Sequence, residues 1–191
     1  MSTRSPLHDL YSRPGFLLKR CHQVSAAIFI EECREFGMTS SQYAALYVLR
    51  DYPGIDQIAL GRLVGLDRST IGLVIKLLGE RDLIERTANP HDKRRVRLML
   101  SKAGEKLLAD IAPAARRARN RVLAGLPKEL REQFVTVLEA FLVGHEATIS
   151  VADILEGKYR PGPFDLAPAE SVKPTGRALP RARTGTRKQA R

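Results

Sequence analysis

The chain has 191 residues, 43% hydrophobic and 28% charged, with a formal net charge of +11 and a pI near 10.1. That length and apolar content suffice for one domain with a sizeable core, and the positive balance points to a polyanionic partner. The charge is uneven: in residues 157–191 nine basic residues stand against Asp165 and Glu170, so the body of the protein is only mildly basic.

No stretch at the N-terminus has the apolar core of a signal peptide, and no apolar run is long enough to cross a bilayer. A cytoplasmic protein with no membrane partner is therefore expected. Its two cysteines, Cys21 and Cys33, fall twelve positions apart in one predicted helix, about 18 Å at helical rise, so they cannot bridge within a chain. Both are expected to be buried thiols.

In chain order, residues 15–36 read as a helix, with Leu17, Cys21, Val24 and Ile28 recurring on one face before Gly37 ends it. Thr39 and Gln42 then form a capping box for a second helix whose apolar set is Ala45, Leu46, Val48 and Leu49, closed by Pro53-Gly54. Asp56 can cap a short helix ending near Gly65, and Asp67 can cap another, with Leu66 and Ile71 placed as a hydrophobic staple. Two helices joined by a tight glycine-containing turn make a helix-turn-helix candidate.

In the second of these, Ile71, Val74, Ile75 and Leu78 make a core stripe at i, i+3, i+4, i+7. The opposite face carries Ser69, Leu73 and Lys76, with Arg68 and Thr70 at the first turn and no carboxylate between Asp67 and Glu80. Such a surface can approach phosphates without repulsion, and the helix N-terminus is expected to add its own attraction for anions. For Leu73, burial against a neighbouring helix is the simpler reading, with contact to a thymine methyl as the alternative.

Helical spacing then stops. Segments 83–87 and 96–100 read as strands, the second with Val96, Leu98 and Leu100 alternating with Arg97 and Met99 and anchoring it to the core. Between them "ANPHDKRR" is turn-forming, so the whole is a β-hairpin with a basic tip at His91, Lys93, Arg94 and Arg95. A hairpin following a helix-turn-helix is a wing.

Ser101 can cap a long helix with Leu107, Leu108, Ile111, Ala115, Ala118 and Val122 on its apolar side and a bend expected at Pro113. Pro127, suited to the first helical position, starts a last helix striped by Leu130, Phe134, Val137, Leu138, Phe141 and Leu142. The terminal helices carry more apolar surface than one small winged helix can cover, which predicts a partner subunit.

From Gly157 onward, Pro161, Pro163, Pro168, Pro174 and Pro180 interrupt a chain with little apolar periodicity, which predicts a disordered basic tail. It is either a non-specific phosphate-binding arm or a solvated extension.

These residues together resemble the MarR-type winged helix-turn-helix transcriptional regulators, over about Pro14 to Leu142. The most specific part is Asp92-x-Arg94, then five residues, then Leu100-Ser101, which looks like the family's Asp-x-Arg…Leu-Thr wing signature with Ser101 in place of threonine. "LVIKLLGERDLIER" looks like the family's recognition-helix exit, although Gly79 stands where a larger residue is usual and is expected to loosen that helix end.

The resemblance implies a mainly α fold with a small β-hairpin wing. It divides the chain into an N-terminal dimerisation helix (residues 1–36), a winged helix-turn-helix (37–100), C-terminal dimerisation helices (101–156) and the tail (157–191). It further implies a homodimer, most simply a repressor, on a palindromic operator in double-stranded DNA. Arg94 would enter the minor groove braced by Asp92, Arg68, Ser69, Thr70 and Lys76 would face the major groove, and Lys93 and Arg95 would neighbour phosphates.

Release by a small-molecule effector, an aromatic acid or its coenzyme A thioester, is implied as well. Arg20, His22, Tyr43 and Tyr47 are the candidates for holding it, since a cation and aromatic rings suit an aromatic anion. The redox-sensing branch of the family is disfavoured, because no tyrosine follows Cys21 in the first helix.

An enzyme is not expected: there is no Gly-x-Ser-x-Gly, His-Glu-x-x-His, Cys-x-x-Cys or Walker-type loop. The histidines, His8, His22, His91 and His145, are scattered, so no metal or other cofactor is expected. Glu31, Glu32 and Glu35 read as solvated helix surface. The competing class is a non-specific nucleic-acid packaging protein acting through the tail.

Overall fold

The computed structural model describes residues 6–88 and 96–145. The basic tail and the hairpin tip at 89–95 therefore lie outside the described residues.

A short helix that the apolar pattern did not reveal, α1 (Pro6–Tyr11), leads into α2 (Pro14–Glu32), and the Tyr11 ring meets Phe16 edge-on at 5.0 Å. One 3-10 turn at Arg34–Phe36 and a left-handed Gly37 (φ 58°) end this first segment. The predicted apolar face of α2 is not covered within the chain: Leu17, Cys21 and Val24 are exposed and Ile28 half-buried, whereas Phe29 and Cys33 are buried. Periodicity finds an apolar face without saying what covers it. The expectation of two buried thiols accordingly holds for Cys33 only, and Cys21 is free and exposed.

The Thr39 and Gln42 capping box opens α3 (Ser40–Asp51) in both directions, with Gln42 N–H donating to Thr39 Oγ1 at 3.2 Å and Thr39 N–H to Gln42 Oε1 at 2.9 Å. Ala45, Leu46 and Leu49 of that helix are central to the core. Two further helices, α4 (Gln57–Leu63) and α5 (Arg68–Glu80), are capped by Asp56 and Asp67 as the sequence predicts. Their turn runs through a left-handed Gly65 (φ 68°), and a Cβ at Gly61 would stand 3.1 Å from Ile71 Cγ2, so the crossing is as close as it is because that residue is glycine.

Strand β1 (Ile84–Ala88) pairs antiparallel with β2 (Val96–Leu100), with Ile84 opposite Leu100 and Ala88 opposite Val96. An isolated bridge from Ile55 to Leu98 ties the segment before α4 to the hairpin. Leu98 anchors β2 and Leu100 is half-buried, but Val96, expected to anchor as well, is exposed because its end of the strand projects away from the core. Gly79 does not leave a loose helix end: the Arg86 side chain lies over it and donates to the Ile75 carbonyl at 2.9 Å.

Ser101 caps α6 (Lys102–Ala124) by accepting from Gly104 N–H at 3.0 Å, while its hydroxyl donates to the Asp82 carbonyl at 2.6 Å. Leu108, Ile111, Ala114 and Ala118 of α6 are buried, and Pro113 lies within the helix on an exposed position. Glu31 and Glu35 are exposed as expected and Glu32 is half-buried, and Glu31 and Glu32 also pair with Arg117 and Arg121 across the contact between α2 and α6, with Glu31 2.7 Å from Arg121. Pro127 immediately precedes α7 (Lys128–His145), whose Leu130, Val137, Phe141 and Leu142 are all exposed. Among the described residues no helix is long and apolar enough to cross a membrane.

Helix α6 sits so close to the hairpin base that a Cβ on Gly104 would stand 2.2 Å from the Leu83 carbonyl oxygen. Gly104→Ala is expected to destabilise the fold by about 1–3 kcal/mol, read as a lowered denaturant midpoint at fixed protein concentration.

Candidate nucleic-acid interface

Burial of Ile71, Val74, Ile75 and Leu78 fixes the rotation of α5 about its axis, and everything on the far side is thereby turned to solvent. Arg68, Ser69, Leu73, Lys76 and Leu77 are exposed, and Thr70 is half-buried. Leu73 retains 56% of its accessible surface, so the expected burial against a neighbouring helix does not occur within the chain. Gly72 lies toward α4, where a Cβ would approach the Gln57 amide at 3.3 Å. Lys76 Nζ is 3.8 Å from Glu80, an exposed pair of the kind that exchanges readily with solvent or phosphate.

The start of α5 departs from expectation. Instead of open N–H groups inviting an anion, the Asp67 carboxylate occupies the helix end, accepting from the N–H groups of Ser69 and Thr70, both at 2.9 Å, and from both their hydroxyls. The Ser69 hydroxyl foremost, with the Thr70 hydroxyl and N–H, holds Asp67 well below the usual carboxylate range. The N–H groups of Ser69 and Thr70 are thereby occupied, and the exposed Arg68 is a cation beside them.

The wing residues Asp92, Lys93, Arg94 and Arg95, with His91, lie outside the described residues. What is described is their base: β1 leaves the end of α5 through Asp82 in a left-handed conformation (φ 55°), and β2 pairs with it.

Of the effector candidates, the fold brings two together. Tyr43 stacks in a tilted arrangement on Phe29 of α2 at 5.3 Å and on Tyr47 at 5.7 Å, and burial pushes its phenol pKa up. Tyr47 is 44% exposed and has the Arg50 guanidinium 4.0 Å from its ring centroid. Arg20 and His22 are exposed on α2, and Arg20 donates to Gln23 at 2.9 Å rather than meeting an aromatic ring. Phe29 and Arg50 are the members that sequence reasoning missed. Arg50 lies three residues beyond Tyr47 on the same helix, a signal that the spacing contained.

Helix-turn-helix, hairpin and a solvent-facing helix with cationic and hydroxyl side chains together define a winged helix DNA-binding protein. A profile of the MarR family matches residues 38–96. The chain is 31% identical over 109 residues to the HTH-type transcriptional repressor NicR of Pseudomonas putida, covering 57% of this chain and 69% of that one.

Among solved structures, it resembles a probable transcriptional regulator from Pseudomonas aeruginosa at 36% identity and a TM-score of 0.64, over 69% of this chain and 98% of the other. It also resembles Bordetella bronchiseptica BpsR, whose DNA binding is regulated by 6-hydroxynicotinic acid, at 27% identity and a TM-score of 0.62, over 68% and 93%. The chain belongs to the MarR family, whose members are transcription regulators and not enzymes.

Because Asp67 has a lowered pKa in the folded state, its contribution to stability is present above the unfolded carboxylate pKa of about 3.9 and is lost as pH falls through the lower folded value. The melting-temperature advantage of the parent over Asp67→Ala at neutral pH is accordingly expected to shrink progressively below about pH 4.

Proposed function

We propose that this protein is a homodimeric repressor that binds a palindromic operator, with α5 of each subunit in the major groove, and that an aromatic acid releases it. The observation that carries this reading is the exposed face of α5, where Arg68, Ser69, Leu73 and Lys76 stand clear of the core on a helix whose other side is fully buried. Arg68 and Lys76 suit phosphates or guanine, and Leu73, left exposed by the fold, suits a thymine methyl. Arg94, braced by Asp92, enters the adjacent minor groove, with Lys93 and Arg95 beside phosphates.

The dimer is supported by what the single chain leaves uncovered: Leu17, Val24 and Ile30 on α2 and Val137, Phe141 and Leu142 on α7. These flanks at residues 1–36 and 101–156 form the dimerisation region around the DNA-binding part at 37–100. The effector class is supported by the rings of Phe29, Tyr43 and Tyr47 with Arg50 at their edge, and by the aromatic acid that regulates BpsR.

Selection from randomised duplexes by the purified full-length protein is expected to enrich a palindrome at least ~10³-fold over random sequence. Enrichment of none would overturn the repressor reading in favour of non-specific packaging. On the selected operator, Arg94→Ala is expected to weaken binding about tenfold while leaving the melting temperature unchanged, and equal affinity would remove the wing from the mechanism. Hydroxylated pyridine and benzene carboxylates, and their coenzyme A thioesters, are expected to include a compound that releases the operator, and Tyr47→Ala to raise the concentration it requires. If none of them released it, the effector class would be wrong.

A further inference from the structure

The bonds around Asp67 fix more than a helix end. A hydroxyl carries one proton and two lone pairs, so where its proton points decides what it can offer a partner. At the start of α5 both available protons point the same way: the Ser69 hydroxyl donates to Asp67 Oδ1, and the Thr70 hydroxyl donates to Oδ2 at 2.6 Å. The same carboxylate holds the N–H groups of both residues, so the side chain cannot turn away from the hydroxyls without uncapping the helix.

We infer that Asp67 is a positioning residue that sets the hydrogen-bonding polarity of the DNA-facing turn, holding Ser69 and Thr70 as acceptors only, so that this turn selects a base offering a major-groove amino group. On the strand it faces, that base is adenine, through N6, or cytosine, through N4. Guanine and thymine present N7, O6 or O4 acceptors at the same edge and meet lone pairs with lone pairs. An unconstrained serine or threonine contacts either kind of base by rotating its hydroxyl, and Asp67 removes that freedom. The hydroxyl and backbone donors that surround the carboxylate lower its pKa and so favour its ionised, accepting form.

This inference rests on the proposal that α5 enters the major groove, and one experiment separates the two. The full-length protein and its Asp67→Asn and Thr70→Val variants are each put through selection from randomised duplexes. Asparagine still caps the helix through its carbonyl oxygen, but an amide nitrogen replaces Oδ2. The Thr70 hydroxyl must then accept from that nitrogen and turn its own proton outward.

At one operator position per half-site, the parent is expected to prefer adenine or cytosine, and Asp67→Asn to move that preference toward guanine or thymine by about threefold to tenfold. Thr70→Val is expected to abolish the preference there. Loss of the negative charge in Asp67→Asn raises affinity for every duplex alike, which alters overall binding and its salt dependence without changing base preference. A merely structural role for Asp67 predicts that second pattern alone.

Unchanged base preference in Asp67→Asn, or in Thr70→Val should the first variant fail to fold, would overturn the inference while leaving the operator reading intact. A parent that enriches no sequence would overturn both.

Discussion

The burial of four side chains on one helix constrains the rest of the molecule. Ile71, Val74, Ile75 and Leu78 repeat at a spacing that only one face of an α-helix can satisfy, and each removes its surface from water against α3, α4 and the hairpin base. Burying side chains of that size stabilises by about 1.5–3 kcal/mol apiece, far more than any polar contact on the opposite face could recover. The rotation of α5 is thus set by its core side, and the chemistry of its exposed side follows as a consequence. Gly61, Gly65 and Gly104 serve the same end, because each lets backbone pass where a side chain or an ordinary φ would hold the elements apart.

Among the described residues, a smaller set of polar contacts ties separate segments to that core. Arg86 reaches from β1 to the Ile75 carbonyl, and Arg81 reaches back to the carbonyls of Phe36 and Gly37. Ser101 accepts from the start of α6 and donates to Asp82 at the exit of α5. Glu31 and Glu32 pair across α2 and α6 with Arg117 and Arg121, and the Arg117 hydrogen bond foremost lowers the Glu32 pKa. Helix α5 is therefore held at both ends, by the Asp67 cap at its start and by the Arg86 clamp and Ser101 link at its end. For the proposed role of α5 in a DNA groove, a helix held this way leaves little ordering to be done on binding.

Much of the fold that positions the candidate site was legible in the sequence. Capping needs a specific residue type at a specific offset, so Thr39, Asp56, Asp67 and Ser101 each announce a helix start, and the structure places a cap at all four. Periodicity gave the buried stripe of α5 and the wing strands to within a residue. The same signals failed where a face could be covered by something other than its own chain. Leu17, Val24 and Leu73 have the spacing or the chemistry of buried residues and are exposed, because an apolar pattern records the need for cover and not the identity of what supplies it.

What the sequence by itself determined is the order of elements, their caps, and the face of each helix that is apolar, since these depend on neighbours within about one turn. What only the tertiary structure decided are contacts between residues far apart in the chain. Phe29 meets Tyr43, Arg117 meets Glu32, and Gly104 passes under Leu83 through packing that no local spacing encodes. The direction of a proton is settled locally, within one turn, but only once α5 has formed. Sequence named Asp67 as a cap, but the folded geometry turned the Ser69 and Thr70 hydroxyls onto it, because a rotatable hydroxyl follows the strongest acceptor within reach.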